Sequence, residues 1–199
     1  MDTDTPSPVR LEPWSEADAG LLRALNAPEL MDHLGGPETE EQLVRRHRRY
    51  VELSADEPGA GRMYRIVLLP EEAVAGSIGF WVRTDDGEPV YETGWAVLPG
   101  FQGRGVASAA TRAVAAEARA AGLHRYLHAF PSTENAASNA VCRKAGFELL
   151  GERDFEYPPG HPMRCNDWRL DLEERGGDAA GREAAARGAA APEAPAPGR

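Results

Sequence analysis

A glycine-rich loop at positions 97–107, with the sequence VLPGFQGRGVA, joins a predicted strand directly to a predicted helix. The first turn of a helix presents unpaired N–H groups and about half a positive charge. Glycines let an anion come close to the backbone, so this loop is suited to binding a diphosphate. Arg104, in the middle of the loop, either adds a charge-assisted contact to the anion or is simply solvated.

Two familiar phosphate-binding motifs do not fit this loop. A P-loop ends in Gly-Lys-Ser/Thr, whereas the only lysine of the chain is Lys144. A dinucleotide-binding fingerprint needs Gly or Ala where Ser108 stands. It also needs an acidic residue about twenty positions later, and positions 127–129 have none. The loop is therefore predicted to bind phosphates in another kind of fold.

A second segment places small polar side chains along one predicted helix. Asn135, Ser138 and Cys142 are spaced by three and four residues, so we expect them to share one face of that helix. This polar stripe lies either against solvent or a closely packed neighbour, or against a ligand. Another face carries three further residues, Ala137, Val141 and Lys144.

The elements that position these segments follow from the periodicity and the turn residues of the chain. Three consecutive β-like runs indicate an antiparallel meander that leads into the glycine-rich loop. The predicted order is β-α-α-β-β-β-α-β-α-β-β, which indicates an α/β (α+β) fold with a mixed, mostly antiparallel sheet of about seven strands flanked by helices. The predicted strands are Val9–Trp14, Met63–Leu69, Val74–Arg83, Val90–Leu98, Arg125–Phe130, Phe147–Arg153 and Met163–Leu172, and the predicted helices are Ser15–Asn26, a stretch after Pro37, Gly103–Ala121 and Asn135–Ala145.

Composition and charge exclude several classes of protein. In the 199 residues, 32 acidic against 22 basic side chains give a formal net charge of −10, which argues against a nucleic-acid partner and is compatible with a cationic small molecule or peptide. No apolar run reaches the roughly 18 residues of a membrane helix, and the first residues do not form a secretory signal, so we expect a cytoplasmic protein with no membrane partner. The five histidines show no ligand spacing on a common element, so no metal is expected. Cys142 and Cys165 are expected to stay reduced.

One folded domain is expected over residues 9–172. Residues 173–199 contain no Val, Ile, Leu or aromatic residue and have nothing to bury, so this tail is predicted to be disordered. Residues 1–8 are predicted to be a similar disordered N-terminus.

Together, the two segments resemble blocks of the GCN5-related N-acetyltransferase (GNAT) family. Gln102-x-x-Gly105-x-Ala107 is similar to the family's acyl-CoA pyrophosphate loop, and NAASNAVCRKAGF at positions 135–147 is similar to its closing Asn…Ser-Asn…Lys-x-Gly-Phe helix. The blocks stand at the family's separation, one strand apart, and in style they are closest to the RimJ/RimL-like branch. The resemblance covers residues 9–172 and implies the GNAT acyl-CoA N-acyltransferase fold, with acetyl-CoA as the acyl donor, no metal, and a primary amine as the acceptor.

The resemblance also implies a role for individual residues. The strand 90–98 would hold the pantetheine arm by backbone pairing, and its N–H groups near Val97 would polarise the thioester carbonyl. Glu92, in Tyr-Glu-Thr-Gly-Trp, matches the carboxylate that stands beside the acceptor and serves as general base, directly or through water. Asn135 would contact a pantetheine amide. The residues implied in phosphate binding are Gln102, Gly103, Arg104, Gly105, Val106 and Ala107.

The general acid is where this sequence departs from the family pattern. Many members have a tyrosine at the position of Cys142, which is expected here beside the pantetheine and the leaving sulfur. Ser138 matches the acid of the RimL-like branch and is the predicted catalytic acid. A CoA thiolate could also leave unprotonated, because thiol pKa values are near 8.5.

Two classes of function follow from these patterns. The first is an N-acetyltransferase in which a protein or peptide N-terminus or a small-molecule amine attacks acetyl-CoA directly in a ternary complex. The alternative, which the missing tyrosine favours, is a non-catalytic acyl-CoA-binding sensor or partner-binding module. The irregular segments 31–37 and 157–161 are expected to flank the acceptor groove, and whether two copies form a homodimer through the final strands stays open.

Overall fold

A computed structural model describes residues 8–55, 60–156, 160 and 162–173. Within them the helices are α1 (Ala19–Ala24), α2 (Pro28–Met31), α3 (Glu40–Ala55), α4 (Val106–Ala121) and α5 (Ala136–Lys144). The strands are β1 (Val9–Pro13), β2 (Gly61–Leu68), β3 (Ala73–Asp85), β4 (Glu88–Val97), β5 (Tyr126–Ala129), β6 (Glu148–Glu156) and β7 (Pro162–Asp171). They form one sheet of order β1-β2-β3-β4-β5-β7-β6, antiparallel throughout except between β4 and β5. The predicted fold class is confirmed.

Hydrophobic cores cover both faces of the sheet. The larger core packs the alanine-rich face of α4 against the strands, with Ala110, Val114 and Ala118 fully buried. The smaller core joins α1 and α3 to β2 through residues that include Met63. Met63 and its neighbour Tyr64 belong to different cores, because successive side chains of a strand point to opposite faces.

The first helices differ from the prediction in their limits. The single helix predicted from Ser15 is a 3₁₀ turn, Glu16–Asp18, followed by α1. The helix α2 was not predicted, since four residues are too few to show a period. α3 begins at Glu40, because Thr39 N donates to Gln42 Oε1 (2.7 Å) and Gln42 N donates to Thr39 Oγ1 (3.3 Å). This reciprocal pair is a capping box, a signal that was legible in the sequence.

A β-bulge in β3 determines where β4 ends. Ile66 and Val67 of β2 pair with Gly76 and Val74, so Ala75 has no partner on β2. The Ala75 carbonyl instead accepts a hydrogen bond from Leu98 N at 2.8 Å. The end of β4 is thereby fixed directly before the glycine-rich loop.

Some predicted features lie outside the described residues. They are His161 and positions 157–159 of the second flanking segment, and nearly all of the two terminal ranges predicted to be disordered. The predicted domain limits therefore stay a prediction. Among the helices described, none combines the length and the apolar character needed to cross a membrane.

Replacing Gly76 with Ala is expected to lower the free energy of unfolding by about 1–3 kcal/mol. An added Cβ would lie 2.1 Å from the Ala96 carbonyl oxygen and 2.9 Å from Val97 Cα, so the backbone of β4 would have to shift. Urea unfolding measures the change. The control is Gly20→Ala in α1, where an added Cβ meets no atom within 4 Å and is expected to be neutral or stabilising. Equal stability of G76A and the unchanged protein would contradict this packing.

Candidate functional site

The central strands β4 and β5 part near the middle of the sheet. They are paired only at Tyr91↔Leu127 and Glu92↔His128. Beyond Glu92, β4 runs on to Val97 with β3 as its only partner among the described strands. Its other edge, with the backbone N–H and C=O groups, faces a cleft of about 690 Å³. A cleft of this size is typical of small-molecule sites.

The cleft brings together most of the residues predicted to be functional. β4 forms one wall, α5 and the segment Ala129–Ser132 form the opposite wall, and the glycine-rich loop with the start of α4 closes one end. The predicted site residues that line it are Glu92, Val97, Gln102, Gly103, Gly105, Val106, Ala107, Asn135 and Ser138. Arg104 and Cys142 do not line it.

The glycine-rich loop leaves the N-terminus of α4 open. Gly105 is the N-cap residue in a left-handed conformation (φ +76°), and no side chain among the described residues caps the first turn. Gly103 is also left-handed (φ +73°). Gln102 Nε2 donates to the Val97 carbonyl at 3.0 Å, which ties the loop to the end of β4. The N–H groups of the first turn are therefore directed at the cleft, where an anion would satisfy them.

Arg104 extends away from this anion site. Its Nη2 lies 2.9 Å from Glu71 Oε1, and its guanidinium lies over the Phe101 ring at 5.8 Å. An exposed ion pair with a residue far away in the sequence could not be read from the loop itself. The predicted phosphate contact of Arg104 has no support in this geometry.

Along α5, the structure corrects the predicted polar stripe. Asn135 Oδ1 accepts a hydrogen bond from Ser138 N at 2.9 Å and so caps the helix, and both residues line the cleft. Cys142 is fully buried in the larger core, where burial raises the pKa of its thiol to about 12. The cleft is lined instead by Ala137, Val141 and Lys144, the face that was predicted to point elsewhere. Residues three and four positions apart cover a broad strip of the helix surface. Ser138 can therefore lie at the cleft while Cys142 lies in the core.

Asn139, which sequence reasoning did not single out, fixes the position of α5. Its Nδ2 donates to the carbonyls of Ser132 and Asn135, each at 2.8 Å. Its Oδ1 accepts from Asn166 Nδ2 (2.7 Å) and Trp168 Nε1 (2.8 Å), both on β7. The sequence did contain a signal for this role. Asn139 stands three positions before Cys142, so the two residues lie on the same, core-facing side of the helix. One buried carboxamide therefore joins the second wall of the cleft to the sheet.

Glu92 lies on the wall of the cleft with 17% of its side chain exposed. Burial raises the pKa of its carboxyl group, and Arg83, whose Nη1 lies 3.0 Å from Glu92 Oε2, acts in the opposite direction without cancelling the rise. A carboxylate with a raised pKa is suited to accepting a proton from an amine.

A buried charge cluster lies on β3, β5, β6 and β7. Asp85, His128 and Asp167 bring potential metal ligands within 4.8 Å of one another. The Arg153 guanidinium, however, contacts Asp85 at 2.9 Å and Asp167 at 3.1 Å, and His128 Nδ1 lies 2.9 Å from Asp167 Oδ1. Burial would raise the pKa of Asp167, but His128 and Arg153 hold it below its usual value. Both carboxylates are thus already bound by the Arg153 guanidinium, and the set does not fit a metal ion.

The end of the cleft away from the loop is formed by α2, α3 and β3. The segment 31–37, predicted to flank the acceptor groove, contributes Met31, His33 and Leu34 to this lining. α3 contributes two arginines and a tyrosine, and β3 contributes Trp81. Side chains line this end of the cleft, whereas backbone N–H groups line the end formed by the glycine-rich loop.

An open strand edge, an uncapped helix N-terminus and a partly buried carboxylate around one cleft form the kind of site that an acyl-CoA-dependent N-acyltransferase uses. The family model "Acetyltransferase (GNAT) domain" matches residues 9–148, and the chain belongs to this family. The predicted family is confirmed. The chain is accordingly an acetyltransferase with acetyl-CoA as donor.

Solved structures share the fold at low sequence identity. The acetyltransferase from Salmonella typhimurium that modifies the N-terminal serine of ribosomal protein L7/L12 has a TM-score of 0.68 and 22% identity, covering 84% of this chain and 96% of that one. A GNAT acetyltransferase from Bacillus anthracis gives 0.67 and 20%, covering 84% and 98%. Spermidine N-acetyltransferase from Vibrio cholerae, with CoA and spermine, gives 0.65 and 13%, covering 82% and 95%. Among curated proteins, no sequence matches this chain.

Replacing Asn139 with Ala is expected to lower the free energy of unfolding by about 2–4 kcal/mol, because buried donors and acceptors would lose their partner. Denaturant unfolding measures the loss. Asn166→Ala, which removes one of these hydrogen bonds at a less buried residue, serves as the control and should cost less than half as much. If both variants lost the same small amount of stability, Asn139 would not be the junction described.

Proposed function

We propose that the chain transfers the acetyl group of acetyl-CoA to a primary amine, which attacks the thioester directly in a ternary complex, with Glu92 as general base. The observation that carries the proposal is the parting of β4 and β5, which opens a strand edge between Glu92 and the uncapped N-terminus of α4. Donor and acceptor can therefore meet in one cleft.

The donor would be held mainly by backbone groups. The edge of β4 from Thr93 to Val97 offers N–H and C=O groups to the amides of the pantetheine arm, and an N–H near Val97 would polarise the thioester carbonyl. The diphosphate would bind the loop and the first turn of α4, from Gln102 to Ala107, where Gly105 keeps the approach open. Asn135, with its oxygen used in capping, would contact the pantetheine through its amide nitrogen.

Glu92 would remove a proton from the acceptor. Deprotonating a lysine-like amine of pKa about 10.4 costs about 4–5 kcal/mol at pH 7, and an α-amine costs about 1–1.5 kcal/mol. A base on the cleft wall with a raised pKa lowers this cost in both cases. Arg83 would keep the carboxylate from becoming protonated too readily, so that the base remains available near neutral pH.

Ser138, the predicted acid, would assist the departing CoA thiolate by donating a hydrogen bond to it. It lines the cleft beside Asn135, whereas Cys142, at the position where many family members have a tyrosine, is buried in the core. A serine hydroxyl is a much weaker acid than a thiol of pKa near 8.5, so the thiolate would leave with this hydrogen bond alone and take its proton from solvent.

The proposal extends to location and assembly. We place the protein in the cytoplasm, where thiols such as the free and buried Cys142 and Cys165 stay reduced. Two copies would pair through β6, an edge strand of the sheet on which Leu149 and Leu150 are 49% and 44% exposed.

Glu92→Gln is expected to lower kcat by roughly 10²–10⁴ with little change in acetyl-CoA affinity, since only the base is removed. In the unchanged protein, activity should fall as pH drops through the pKa of Glu92, which burial raises above its usual value. The readouts are CoA release over a pH series and calorimetric binding of acetyl-CoA.

The matched control is Glu88→Gln, an exposed carboxylate on the same strand, which should retain full turnover. An unchanged rate in E92Q would remove Glu92 from the mechanism. Normal acetyl-CoA binding without CoA release from any amine would favour the non-catalytic alternative.

Gly105→Ala is expected to weaken acetyl-CoA binding about tenfold or more. Its added methyl group stands at the mouth of the anion site, and its left-handed backbone (φ +76°) strains a non-glycine residue by about 1–2 kcal/mol. Gly122→Ala, at the other end of α4 with φ +70°, carries the same strain and should bind acetyl-CoA normally. Calorimetry compares the two, and equal affinities would argue against a phosphate site at this loop.

A further inference from the structure

Two arginines of α3 lie near one aromatic ring in the cleft. The guanidinium carbons of Arg46 and Arg49 lie 6.0 Å and 5.8 Å from the centroid of the Tyr50 ring. All three residues line the end of the cleft away from the glycine-rich loop. Cation–π contacts of this kind hold a guanidinium in place while leaving its N–H donors available. We refer to these three residues as the arginine–tyrosine cluster.

The guanidiniums of the cluster are only partly satisfied by the protein. Arg46, with 12% of its side chain exposed, forms an ion pair with Glu38 at 2.6 Å. This contact lacks hydrogen-bond geometry, and both Arg46 Nε and Glu38 Oε2 are buried without a hydrogen-bond partner in the described part of the chain. Arg49 is exposed and forms no ion pair with a described acidic residue. Buried donors of this kind are ordinarily satisfied by protein, water or ligand.

This local charge runs against the charge of the whole chain. Acidic residues outnumber basic ones 32 to 22, and arginines elsewhere, such as Arg10, Arg65 and Arg153, contact carboxylates. Two carboxylates also line the cleft: Glu29, which is exposed on α2, and Glu92, which is paired with Arg83. Other described arginines, such as Arg45 and Arg48, also lack an acidic partner among the described residues, and Arg49 differs from them because it lines the cleft.

The guanidinium groups of Arg46 and Arg49 favour one kind of ligand group. Its planar fork of N–H donors matches the two oxygens of a carboxylate better than it matches any neutral group. Arg45, one helical turn before Arg49 and also exposed, extends the positive charge along α3. The overall charge of −10 was compatible with a cationic acceptor, but the side chains of this end of the cleft favour an anionic group.

We propose that the amine acceptor carries a carboxylate close to its reactive nitrogen, and that Arg46 and Arg49 of the arginine–tyrosine cluster bind this carboxylate. The inference rests on the proposed acetyl transfer and adds the class of acceptor. The carboxylate belongs either to an Asp or Glu side chain near a peptide N-terminus or to a free amino acid.

The test compares matched acceptors with and without carboxylates. The peptides Ser-Asp-Glu-Ala and Ser-Asn-Gln-Ala, both amidated at the C-terminus, are assayed for CoA release alongside free glutamate and its diamide, which keeps the amine and lacks both carboxylates. For each carboxylate-bearing acceptor that is acetylated, we expect kcat/KM to be about tenfold or more above that of its neutral counterpart. Most of the difference should come from a lower KM. In Arg49→Gln this ratio should fall towards one, and 0.5 M salt should reduce it in the unchanged protein.

Arg48→Gln is the matched control. Arg48 is an exposed arginine of the same helix that does not line the cleft, so its variant should keep the preference for the charged acceptor. Arg49→Glu should reverse the preference towards Ser-Arg-Lys-Ala. Arg49 is exposed, so these variants are expected to fold, and circular dichroism verifies this.

The outcomes separate the inference from the proposed function. Equal turnover of the acidic and neutral acceptors would overturn the carboxylate inference and leave acetyl transfer intact. An equal loss for both acceptors in R49Q would also overturn it, since Arg49 would then act on folding or on the amine. If no acceptor released CoA from protein that binds acetyl-CoA, both proposals would fail. Charge selectivity with the peptides alone, or with glutamate alone, would support the inference and identify the source of the carboxylate.

Discussion

The parting of β4 and β5 is the constraint on which the rest of the site depends. Buried backbone groups in a sheet are normally paired. Here β4 pairs with β5 at only two residue pairs, and the rest of that edge of β4 has no strand beside it among the described residues. The opening persists because each strand is held from outside the gap: β4 along its length by β3 and at its end by the Ala75 bulge, β5 by β7. The unpaired edge is therefore a fixed feature of the folded chain.

The opposite wall of the gap is held by a different kind of interaction. α5 is attached to the sheet through the single buried carboxamide of Asn139, which uses both donor and acceptor atoms. Apolar burial is non-directional, whereas the hydrogen bonds of Asn139 have fixed directions and so set the orientation of the helix. The same orientation places Ser138 in the cleft and Cys142 in the core.

What the sequence allowed us to predict was local, and what it missed came from contacts distant in the chain. The meander, the loop and α4 follow from turn residues and periodicity, and their predicted order is confirmed, although α4 begins at Val106 and not at Gly103 as predicted. The partner of Arg104 is 33 residues away, and the cluster around Arg153 joins four strands, so no local pattern contained them. The predicted orientation of α5 was wrong for another reason. Spacings of three and four residues are compatible with either of two adjacent helix faces.

One end of the cleft is lined by backbone groups and the other by side chains, and this difference affects which ligands each end can recognise. The loop end presents backbone N–H groups, whose positions are set by Gly105 and by the end of β4, so many sequences with this fold could bind the same donor. The far end presents side chains of α2 and α3, among them Met31 and the exposed Arg49. The proposed function thus assigns donor recognition to the fold and acceptor recognition to these two helices of this particular chain.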